Sequence, residues 1–229
     1  MAVIRGEGRV QILYGRSVLP VPPHRAVYLS RPDLVGRHPG VIVLGDSTGV
    51  TSSVRDLCRR IARYGYLAVA PDLSRGEPAG EVTDTEMVHA IDDVIAVADA
   101  IRSSWDTFAS ATAPTVVALG GTALVGAAAA AEIGGPFVVL GGPVTDLDSV
   151  LGGVTGPVLG LIAGDSDGGV VAVRELHDAT GRGEWAVFPS VSAHFFDDAA
   201  EGFDLATFTD AFDRLIAFLD THMAVVAAQ

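Results

Sequence analysis

The sequence predicts an α/β fold, with a mainly parallel central sheet and helices on both of its faces. Short apolar runs alternate with helix-length segments along the chain, the pattern of strands joined by helical crossovers. The 229 residues, 49% of them hydrophobic, suit one domain over 1–229 whose sheet is fully buried. The sequence contains neither an internal repeat nor a linker-like stretch.

The first two predicted strands, Val10–Leu13 and Ala26–Leu29, have no helix-length segment between them and form an antiparallel edge ribbon. Val41–Leu44 follows as a strand, then a helix over Ser53–Tyr64, the strand Leu67–Ala70 and a helix over Glu86–Ser104. The strand Thr115–Leu119 leads directly into a helix over Gly121–Glu132. That helix is nearly all Ala, Gly, Leu and Val, which implies burial on every side and close approach to the sheet. Strands Phe137–Leu140 and Val158–Ile162, a helix over Val170–Thr180 and the strand Trp185–Phe188 come next. The last helix, Leu205–His222, carries Phe208, Phe212, Leu215, Ile216 and Leu219, with Met223 just beyond, at spacings of three or four, and packs by one apolar stripe.

Composition excludes several classes of function. A formal charge of −13 opposes binding to nucleic acid or anionic lipid, which rests on clustered Lys and Arg. The sequence has neither a membrane-spanning run nor a signal peptide, and the protein is read as cytoplasmic. A single cysteine excludes an internal disulfide, and six scattered histidines give no zinc-binding spacing, so neither a metal nor another cofactor is expected. All 15 basic residues are Arg, with no Lys and no Asn, a bias we read as that of a high-GC bacterial genome. Without lysine, Schiff-base and phosphate-loop chemistry are ruled out.

Five segments carry a resemblance: Gly40–Gly49, Arg55–Cys58, Ala62–Leu73, Pro157–Asp167 and Val187–Phe196. Together they resemble the dienelactone hydrolase family over about Ala26 to the C-terminus, most specifically in the Tyr64-Gly65-Tyr66 strand that ends in Ala70-Pro71-Asp72-Leu73. The resemblance implies an α/β-hydrolase fold whose nucleophile, acid and histidine follow in that order. In the family the nucleophile is a cysteine on a tight strand-to-helix turn between small residues. Here Thr115–Thr122 supplies the strand and the turn, Ala118 and Thr122 take the flanking small positions, and Gly120 stands where the cysteine would be. The only cysteine, Cys58, falls on the first predicted helix and reads as a small buried hydrophobe.

On the same resemblance Asp167 is the triad acid, with Asp165 as the competing assignment, and His194 is the histidine. Asp46 aligns with the family's acidic residue after the third strand; as a plain sequence feature it caps a helix or turn ahead of Ser47 and Thr48. Arg75 lies near the position where the family binds a substrate carboxylate, or is a solvated arginine. The expected catalytic set is therefore His194, Asp167 and Asp46, and the expected substrate-binding set Ser47, Thr48, Gly120, Gly121 and Arg75.

A glycine has no atom with which to attack a carbonyl. The expectation is an enzyme in which a His-Asp dyad performs non-covalent acid/base chemistry on a small, fairly apolar substrate. That covers lactone or ester hydrolysis by activated water, cyclisation and isomerisation. The alternative is an inactive relative that binds a ligand or a partner protein.

Overall fold

Five strands are buried at every position but one: β3 (Gly40–Leu44), β4 (Leu67–Pro71), β5 (Thr115–Leu119), β6 (Phe137–Gly141) and β7 (Val158–Ala163), with only Leu119 partly open. Such strands need cover on both sides, and the period of two along each decides which side chain faces which cover. Ile42 and Leu44 lie in one cluster with Val94, Val97, Ala127 and Ala130, whereas Val41 and Val43 lie in another with Leu57, Ile61, Phe212 and Leu215. The first group of partners belongs to helices α2 (Asp84–Asp99) and α3 (Ala123–Ile133). The second belongs to α1 (Ser52–Arg63) and α5 (Leu205–His222). The expected α/β sandwich with helices on both faces is what the chain forms.

The computed structural model describes residues 8–45, 49–74, 84–142, 146–164, 173, 176–177, 181, 183–189, 191–201 and 203–223. With β1 (Ile12–Val18), β2 (Ala26–Pro32) and β8 (Glu184–Phe188), the strands form one eight-stranded sheet in the order β1-β2-β4-β3-β5-β6-β7-β8. All pairings from β4 to β8 are parallel, and β1–β2 and β2–β4 are antiparallel. No helix among the described residues is long and apolar enough to cross a membrane.

Several boundaries differ from the sequence expectation. β1 lies at Ile12–Val18 rather than Val10–Leu13, because backbone pairing from Ile12↔Pro32 to Val18↔Ala26 carries the strand through Gly15, Arg16 and Ser17. An exposed edge strand needs no apolar run, so the pattern stops short of it. The helix expected over Glu86–Ser104 is α2 followed by a π-helical turn, Ala100–Ser104, closed by Trp105 N donating to Ala100 O at 2.9 Å. The helix expected from Gly121 opens as a 3-10 turn, Gly120–Thr122, before α3 begins. A short helix α4, Asp148–Leu151, was not expected, since four residues are too few to show a helical period. Of the helix expected over Val170–Thr180, only residues 173, 176 and 177 are described.

Helix α3 fits close under the sheet because Gly126 faces the strands. A Cβ there would stand 2.7 Å from the Ala118 Cβ and 3.0 Å from Phe137. Close seating fixes the turn that joins β5 to α3, at the edge of the sheet where the parallel strands end. Open parallel sheets bind their ligands at this edge.

Candidate active site

Four elements converge at the carboxyl edge around a cavity of about 300 Å³. The first is the turn after β5. Gly120 has φ +51°, the left-handed region, and Thr122 Oγ1 donates to Leu119 O at 2.9 Å to close the turn. A side chain at 120 would pay for that φ, and its Cβ would stand 3.1 Å from Gly142 O. Gly121 is exposed, with open space over its Cα. The sharp turn between β5 and α3 is thus built around a residue that carries only hydrogen.

The second element is the loop after β8, which carries His194. Asp197 N donates to His194 O at 2.8 Å and Phe195 N to Ser192 O at 3.1 Å, winding the segment into successive turns. Phe195 and Phe196 point into the core, where their rings lie 5.5 Å from Phe188 and 5.5 Å from Phe208 respectively. With those two rings anchored, His194 is left exposed along the cavity wall. The loop is also keyed to the third element, the end of β6. Gly141 has φ +90°, and a Cβ on it would stand 2.3 Å from Ala193 O, so only glycine lets the histidine loop sit this close.

The fourth element is the start of α1. Thr51 caps the helix by accepting from Val54 N at 3.3 Å, and its hydroxyl lies 2.8 Å from that of Ser53. Thr51, Ser53 and Asp197 line the cavity, while Val54, Leu57, Leu119 and Phe196 make its apolar walls. Asp197 Oδ1 accepts from Ala199 N at 3.0 Å.

Of the residues singled out by sequence, the structure brings His194, Gly120 and Gly121 to one cavity. Asp167, Asp46, Ser47, Thr48 and Arg75, with the competing Asp165, lie outside the described residues. Thr51, Ser53 and Asp197 were missed. Thr51 carries a cap signature at the start of an expected helix, but nothing in the sequence tells which helix start faces a cavity. Asp197 sits three residues after His194, a spacing that a turn brings together and a strand would not. Cys58 is fully buried, and burial pushes its thiol well above the usual range. It therefore supplies no attacking thiolate. Among the described residues, no three His, Cys, Asp or Glu side chains gather in a way that would hold a metal ion.

Comparison with known proteins bears on this site. A Synechocystis protein assigned as a carboxymethylenebutenolidase is 42% identical over 55 residues, which is 24% of this chain and 22% of the relative. A protein of the same assignment from Azospirillum brasilense is 42% identical over 60 residues, 26% of each. These matches span about a quarter of the relatives' own length. The crystal structure of a protein assigned as a dienelactone hydrolase from Klebsiella pneumoniae subsp. pneumoniae MGH 78578 superposes with a TM-score of 0.74 at 25% identity, over 92% of this chain and 99% of that one. The model of the dienelactone hydrolase family matches residues 26–223. With that match over most of the chain and the eight-stranded, mainly parallel sheet, the chain belongs to the dienelactone hydrolase family, in the α/β-hydrolase superfamily.

Proposed function

We propose that this protein is an enzyme of the hydrolase type that opens a small, fairly apolar cyclic ester without forming an acyl-enzyme. The observation that carries the reading is Gly120, left-handed at the elbow and without an attacking atom, on the wall of the same cavity as His194.

In this reading His194 takes a proton from a water molecule beside the lactone carbonyl. The water oxygen bonds to the carbonyl carbon, the ring C–O bond breaks, and the imidazolium returns its proton to the departing ring oxygen. The product is the ring-opened acid. Backbone N–H groups of the Gly120–Gly121 turn stabilise the negative charge that develops on the carbonyl oxygen, as at an oxyanion hole. Asp167 holds the imidazole and Asp46 acts as its acid/base partner, with Ser47, Thr48 and Arg75 as further substrate contacts. All five are proposed from the sequence. The same imidazole would serve cyclisation or isomerisation.

Proton transfer by a positioned base is worth roughly 10²–10⁴-fold in rate. His194→Ala is therefore expected to lower turnover of a neutral lactone by about that factor, while Gly120→Cys brings no gain. Unchanged turnover in the His194 variant overturns the reading. A lactone that binds without conversion favours a ligand-binding relative instead.

A further inference from the structure

We propose that Asp197 is a specificity-determining residue, whose carboxylate makes this cavity select uncharged or cationic cyclic ligands and exclude those bearing a carboxylate. The inference deepens the reading above and rests on it for the class of molecule bound, a small ring with a carbonyl. It does not rest on any turnover.

The cavity walls set the charge preference. Asp197 shares the cavity with His194 and is the carboxylate among its described lining residues. Its Oδ1 is held by Ala199 N, which fixes the carboxylate in direction, and its Oδ2 has no hydrogen-bond partner among the described residues. No arginine stands among the described lining residues, and the sequence contains no lysine. Arg55, one turn into α1 from the cavity rim, is not among the lining residues, and its Nε donates to Thr51 O at 3.1 Å. The apolar walls lower the local dielectric and lengthen the reach of the Asp197 charge. The protein's charge of −13 adds a field of the same sign. A ligand carboxylate entering here loses its water and meets another carboxylate, with no cation among the described lining residues to offset the cost. The Thr51 and Ser53 hydroxyls offer hydrogen bonds to a neutral carbonyl or hydroxyl instead.

The test uses a matched pair of cyclic ketones that cannot be hydrolysed, 1-indanone and 3-oxoindane-1-carboxylate, titrated into the full chain and followed by protein NMR shifts. Wild type is expected to bind 1-indanone about tenfold or more tightly than the carboxylate, with the ratio shrinking as salt is raised. Asp197→Asn should bring the two within about threefold by tightening binding of the carboxylate, and Asp197→Glu should keep the preference. Equal wild-type affinities, a ratio unmoved by Asp197→Asn, or no binding of 1-indanone overturns the proposal. So does a preference for the carboxylate that Arg75→Gln abolishes. Because neither ligand reacts, an Asp197-dependent ratio together with an inert His194→Ala result separates failure of the chemistry from failure of the selectivity.

Discussion

Gly120 combines two properties that a replacement cannot both keep: a φ of +51° and a Cα facing Gly142 O. A cysteine introduced there meets the left-handed penalty of about 1–2 kcal/mol and must move that carbonyl by a few tenths of an ångström. Gly120→Cys is expected to lower stability by about 1 kcal/mol or more, measured by urea unfolding. Gly141 is less forgiving, since a methyl group would stand 2.3 Å from Ala193 O at a φ of +90°. Gly141→Ala should cost more than about 2 kcal/mol and displace the histidine loop, so turnover falls even at temperatures where the protein stays folded. Thermal unfolding and a rate assay on the same sample check both effects. A variant that is stable and fully active would show that the loop does not depend on this contact.

At the scale of elements, α5 is tied both to the sheet and to the amino-terminal segment. Its Asp220 accepts from Arg9 Nη1 at 3.1 Å and from Arg9 Nη2 at 2.5 Å, and the buried Tyr66 hydroxyl donates to it at 2.6 Å. Hydrogen bonding from Arg9, with the Tyr66 bond added, holds the Asp220 carboxyl below the ordinary aspartate range. A carboxyl depressed in the folded state contributes stability above its unfolded pKa and loses it as pH falls through the folded one. Arg9 is half exposed, so the ion pair itself is weak, and most of the cost of Asp220→Asn comes from the disturbed buried hydroxyl. The variant should lose about 1 kcal/mol at neutral pH and progressively less below about pH 4, where the wild type sheds the same contribution. Urea titrations at the two pH values measure this, and an equal loss at both contradicts it. The element pattern was legible where burial is complete. The apolar runs of β3, β5, β6 and β7 mark the strands because both faces are covered. The pattern failed at β1, where pairing rather than burial makes the strand, and at the π-helical end of α2, where the apolar period runs on past the change in hydrogen bonding.

For the whole molecule, chain order and topology bring Gly120 and His194, far apart in sequence, to one edge of one sheet. That much could be read from the order of motifs, since strand ends in this topology share an edge. The hydroxyls of Thr51 and Ser53 and the Asp197 carboxylate could not, because whether a cap or a turn residue faces a cavity depends on packing between distant elements. In the proposed mechanism the family scaffold works here without a covalent intermediate. The most direct test is intact-protein mass spectrometry of samples quenched within milliseconds during turnover of a neutral lactone, 4-methylenebut-2-en-4-olide. Ring-opened product and unmodified protein are expected at every time point. A protein species heavier by the mass of the lactone, formed before product and consumed as product appears, would contradict that mechanism.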